Sequence, residues 1–97
     1  MSRPDSAVLL VALVEYPLDE PEAARRYEDD VLALLERHGG HLERRLRSAD
    51  GWTEVHLIRF ASRAGWEAFR ADPQRRALRA ALGDAAPVGR VIEVRDI

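Results

Sequence analysis

The segment AVLLVALV, Ala7 to Val14, constrains the fold more than any other part of the chain. Its apolar residues do not alternate with polar ones. It is rich in Val and Leu and short for a helix, so it reads as a β-strand covered on both faces. Such a strand belongs in the middle of a sheet. Glu15 and Tyr16 extend it, and Pro17 ends it. The same run is far too short to cross a bilayer, and it lacks the basic flank and cleavage site of a signal peptide. The expectation is a cytoplasmic protein with no membrane partner.

The following stretch changes period. Ala24, Tyr27, Val31, Leu34, Leu35 and His38 recur at helical spacing, which predicts one helix of about five turns. Asp19 with Glu22 fits a capping box, Pro21 suits the first turn, and Gly39 or Gly40 supplies a left-handed stop. HLERRLR then reads as a wet edge strand, with Leu42 and Leu46 on one face and Glu43, Arg45 and Arg47 on the other. Asp50-Gly51 marks a hairpin turn into the strand from Trp52 to Phe60. One face of that strand carries Trp52, Glu54, His56, Ile58 and Phe60, and the other Thr53, Val55, Leu57 and Arg59.

Ser62 can cap a second helix with Trp66 and Phe69 facing inward. Asp72-Pro73 breaks it and starts another, with Ala77, Leu78, Ala81 and Leu82 as its inner stripe and Arg75, Arg76 and Arg79 as its solvated face. GRVIEVRDI closes the chain as a strand, with Val88, Ile92 and Val94 expected toward the helices. The order is βαββαβ, an α+β ferredoxin-like arrangement with a four-stranded antiparallel sheet, in a single domain over residues 1–97 whose ordered core spans about 7–96. Residues 1–6 read as a polar lead-in.

Helices cover only one face of such a sheet, yet both faces of the first and third strands are apolar. A second copy packed through the sheet is therefore expected, as a homodimer. Formal net charge is −2, which offers no general attraction to nucleic acid. All 15 basic residues are arginine, and there is no cysteine, so thiol catalysis, disulfides and thiolate metal sites are excluded.

Glu54 and His56 are the sharpest chemical pair. Two apart in a strand, they share a face, with Cβ atoms about 7 Å apart. His56 could act as a general base with Glu54 orienting it or acting as the acid; the competing reading is a structural pair at the interface rim, bonded to Arg45 or Arg47. Tyr16 at a strand end, Tyr27 on the first helix and Arg59 are candidate ligand-binding groups, Arg59 for an anionic group in a cleft between sheet and helices. Trp52, Trp66 and Phe60 are candidate walls, although each also has a plain packing role. His38 and His41 flank the Gly-Gly turn without a supporting carboxylate spacing, so no metal is expected.

The phrases PEAARRYEDDVLALLERHGGHLERR, GWTEVHLIRFASRAGWEAFRADPQRRALRAAL and GRVIEVRDI resemble the dimeric α/β-barrel superfamily over roughly residues 7–96. The likeness is greatest to its small bacterial families without assigned activity, and more distant to the antibiotic-biosynthesis monooxygenase group. The resemblance implies a two-fold dimer with a pocket between sheet and helices. For some members it implies cofactor-independent oxygenation, cyclisation or isomerisation of aromatic or polyketide-like metabolites. Asp72-Pro73 matches that group's break, but Gln74 stands where its histidine would be, and Trp66 lies within the helix instead of before it. Two functions follow as expectations. One is a small cofactor-free enzyme acting on an aromatic ligand. The other is a non-catalytic small-molecule-binding or stress-related dimer.

Overall fold

The computed structural model describes residues 6–97. The first five residues, most of the polar lead-in, lie outside the described residues. Four strands, β1 (Val8–Glu15), β2 (Gly40–Arg47), β3 (Thr53–Phe60) and β4 (Val88–Val94), form one antiparallel sheet in the order β2-β3-β1-β4. Helices α1 (Pro21–Leu32), α2 (Arg63–Arg70) and α3 (Pro73–Leu82) pack on one face of it. The apolar run Val8–Val14 is a central strand, as its composition demands: Val8, Leu10, Ala12 and Val14 are buried toward the helices, and β3 and β4 flank it.

Several local signals act as their chemistry predicts. Ser62 Oγ accepts the Gly65 N–H at 3.0 Å, and Asp72 Oδ1 accepts from Gln74 N at 2.8 Å and Arg75 N at 3.3 Å, so each side chain caps its helix. Gly51 takes φ 83° in the turn before β3, a conformation that costs glycine nothing. Alternation along β3 puts Glu54, His56, Ile58 and Phe60 on the covered face.

Other expectations need correction. The α1 cap is Glu20, in the left-handed region with no side-chain hydrogen bond, instead of Asp19. Pro21 at N1 brings no N–H to satisfy and disfavours the right-handed helical region for the residue before it. The single long helix is a 12-residue α1 followed by a 3-10 turn over Leu35–His38, where bonding tightens from Leu34 N to Val31 O at 3.0 Å onward. In β2 a bulge between Leu42 and Arg44 resets the alternation. Leu42 opposes Ile58 on the covered face, whereas Leu46 opposes Val55 on the open one, and Arg45 and Arg47 come to face His56 and Glu54. In β4, Ile92 and Val94 pair with Val11 and Leu9, and Val88 with Glu15, which puts all three on the open face; Val91 and Gly89 face the helices instead. Adjacent Val91 and Ile92 make the alternation of this strand ambiguous from composition alone.

Candidate active site

Between the covered face and the three helices lies a cavity of about 540 Å³. Its walls are aliphatic and aromatic: Leu10 and Ile58 from the sheet, Tyr27 and Val31 from α1, and Trp66 and Phe69 from α2. Phe60 closes its floor, with its ring 5.5 Å from that of Phe69. Titratable side chains also line this apolar space: His56, Glu28, Arg70 of α2, Arg75 and Arg79 of α3, and Arg90 of β4.

The strand register builds what stands behind His56. Glu54, fully buried, neighbours His56 on β3 and opposes Arg47 on β2. Arg45 Nε donates to Glu54 Oε1 at 2.7 Å, and Arg47 Nη2 and Nε donate to Oε2 at 2.6 and 2.9 Å. Arg45 Nη1 also donates to Asp29 Oδ1 at 2.7 Å, which ties β2 to α1. His56 Nε2 lies 2.8 Å from Glu54 Oε1. Burial opposes the charge on Glu54, but hydrogen bonds from Arg45, His56 and Arg47 outweigh it and hold the carboxyl well below the usual carboxylate range. An ionised carboxylate can only accept, so His56 Nε2 donates to it and Nδ1 keeps its lone pair. Burial pushes the imidazole below its ordinary value, against the pull of Glu54, so it is neutral near pH 7.

Nδ1 points toward Glu28, whose Oε1 is 3.9 Å away, too far for a hydrogen bond and close enough to share a ligand atom. Burial, with the Glu54 charge adding to it, raises the Glu28 carboxyl from 4.5 to about 7, against Arg45, Arg75 and Arg79. Glu28 was absent from the residues singled out by sequence. The signal was there: it stands four residues after Ala24 and three before Val31, on the buried stripe of α1. Arg75 and Arg79, read as solvated, also line the cavity.

The residues singled out by sequence thus divide. His56, Tyr27, Trp66 and Phe60 meet at the cavity. Glu54 stands behind His56 and outside the lining. Trp52 packs against a separate small cluster of Val14, Tyr16 and Ala24. Tyr16 belongs to that cluster, but its buried hydroxyl is turned toward Glu54 and Arg45 without closing a short hydrogen bond to either, and burial, then Glu54, raises its phenol above the ordinary range. Arg59 lies on the opposite face of the sheet, paired with Glu43 at 2.9 Å, because its odd-numbered position in β3 turns it away from the helices. His38 Nε2 meets the capping Asp72 at 2.6 Å. Among the described residues no group of three or more His, Asp or Glu could hold a metal ion, and no helix is long and apolar enough to cross a membrane.

No protein-family profile matches the chain, and no curated protein does. Solved structures do. The Mycobacterium tuberculosis protein Rv0793 superposes with TM-score 0.73 at 24% identity, over 95% of this chain and 98% of that one. SnoaB, a cofactor-independent oxygenase from Streptomyces nogalater, superposes with TM-score 0.72 at 16% identity, over 95% and 96%. A candidate antibiotic-biosynthesis monooxygenase from Nitrosomonas europaea gives 0.70 at 15%, over 97% and 95%. The fold is therefore the ferredoxin-like one of the antibiotic-biosynthesis monooxygenase structures.

The Glu28 environment has a thermodynamic consequence. A carboxyl with a raised folded pKa keeps its proton in the folded state after the unfolded chain has lost it. Stability therefore falls as pH rises from 4.5 to about 7. Glu28→Gln removes that fall. Urea unfolding is expected to find the variant up to about 3 kcal/mol more stable than wild type at about pH 8, with the two converging near pH 4.

Proposed function

We propose that the chain is a small cofactor-independent enzyme, a monooxygenase, cyclase or isomerase, that acts on an aromatic or polyketide-like metabolite, and that its first step is removal of a proton by His56. The observation that carries this reading is an imidazole oriented by Glu54 at the wall of an apolar cavity of about 540 Å³, within the usual range of small-molecule sites. A phenolic or enolisable substrate would lie against Trp66 and Phe69 with its acidic O–H or C–H at Nδ1. The proton passes to Nδ1, and the imidazolium so formed is stabilised by the Glu54 carboxylate 2.8 Å from Nε2. Glu54 is thus a positioning residue, with Arg45 and Arg47 keeping it charged. Glu28, near half-protonated at neutral pH, can return a proton to the resulting anion. Reprotonation at another carbon gives isomerisation, attack on an internal carbonyl gives ring closure, and addition of the carbanion to dioxygen gives a hydroperoxide that breaks its O–O bond and loses water to leave a new carbonyl.

The test uses anthrone, a three-ring ketone with an acidic methylene. In D₂O the protein is expected to accelerate deuterium uptake at that carbon, read by proton NMR, and His56→Gln to lower the rate about 10²- to 10⁴-fold. Wild-type exchange no faster than buffer, or a variant as fast as wild type, contradicts the reading.

The same reading includes a homodimer through the open face of the sheet. Leu9, Val11 and Leu13 of β1, Val55 and Leu57 of β3 and Ile92 and Val94 of β4 share that face with no helix over them. A contiguous apolar patch of this kind favours a second sheet stacked about 10 Å away. Sedimentation equilibrium at micromolar concentration is expected to give twice the 10.9 kDa chain mass, and Val11→Arg to give one. A single-chain mass for the wild type counts against the pairing.

A further inference from the structure

The cavity has a charge asymmetry that its apolar walls do not require. Among the described lining residues Glu28 is the only acid, set against four arginines: Arg75 and Arg79, four apart and so on one flank of α3, Arg70 of α2 and Arg90 of β4. Neither Arg75 nor Arg79 forms an ion pair within 4.0 Å among the described residues, although Glu28 stands in the same cavity wall. Arg75 Nε is buried with no hydrogen-bond partner, while its guanidinium carbon sits 5.0 Å from the centroid of the Phe69 ring. Arg79 makes only a long contact, 3.4 Å, from Nη1 to the Pro87 carbonyl oxygen. Two guanidiniums therefore line the cavity with donors to spare, and that of Arg75 lies against an aromatic ring. Planar guanidinium forks match a carboxylate, and an aromatic slot beside them matches the ring that carries it.

We propose that this cavity selects aromatic carboxylates, with the ring between Trp66, Phe69 and Ile58 and the carboxylate on Arg75 and Arg79. This rests on reading the cavity as the ligand site and names the charge of what enters it. One carboxylate oxygen takes the terminal Nη donors of Arg75, and the other takes the spare Arg79 donors. The far end of the ring system then reaches toward His56 and Glu28 on the opposite wall. Selection is by charge as well as shape: a neutral ring of the same outline forgoes the charge-assisted bonds to both guanidiniums and covers the half-buried Arg75 without pairing it, which disfavours it.

Calorimetric titration of the intact protein with 2-naphthoate and with its neutral near-isostere 2-naphthamide tests this. The acid is expected to bind at least about tenfold more tightly than the amide. Arg79→Gln is expected to remove most of that margin while leaving amide affinity within about twofold, and Arg75→Gln to do the same. Arg79 is exposed, so its variant keeps the test valid if Arg75→Gln, which uncovers Phe69, fails to fold. Equal affinity for acid and amide, or an acid preference that survives Arg79→Gln, overturns the anion selection and leaves the cavity as a ligand site. Binding of neither compound overturns both.

Discussion

The buried Glu54 carboxylate is the interaction on which the site depends. Its side chain has no solvent exposure, and it meets two arginines and one histidine at 2.6 to 2.9 Å. A lone charge in that position would be expelled or neutralised. Three donors keep it ionised, and its being ionised decides the rest: His56 must donate through Nε2, so Nδ1 is the nitrogen left with a lone pair; and the Glu54 charge helps to push Glu28 toward neutrality across the imidazole. Arg45 extends the same network to Asp29, so the register of β2 and the seat of α1 are coupled to the protonation state of the site.

The sheet separates two tasks. Its covered face holds the cavity and the titratable groups. Its open face is apolar and carries Arg59 paired to Glu43 at the edge. Strand alternation alone keeps these apart, since residues two apart share a face and neighbours do not. The Glu54–His56 pair lies on the covered face, away from the open one, and it makes the bonds to Arg45 and Arg47 that the structural reading of the sequence named. The helix-facing side of β4 stays exposed, with Val91 at 54%, so the cavity opens on that flank, beside Pro87 and Gly89.

Much of this was legible in the sequence where one period or one cap dominates. The central placement of Val8–Val14, the shared face of Glu54 and His56, and the capping roles of Ser62 and Asp72 all follow from local rules. The β2 bulge did not, because nothing in the composition of HLERRLR marks an inserted residue, yet it is the bulge that delivers Arg45 to Glu54. The faces of β4 were assigned the wrong way round, because with Val91 and Ile92 adjacent either face could be the apolar one. Glu28, Arg75 and Arg79 were passed over for a common reason: charged residues at helical spacing are solvated far more often than they line a cavity, and only tertiary packing shows otherwise.

The most direct test of this account is the tautomer of His56. Nitrogen-15 NMR of the histidine side chains, assigned with a His56→Gln variant, distinguishes a protonated from an unprotonated ring nitrogen. The account predicts a neutral ring at neutral pH, with the proton on Nε2 and a bare Nδ1, and loss of that fixed pattern in Glu54→Gln. A ring protonated at Nδ1 in the wild type, or an imidazolium at neutral pH, would contradict it.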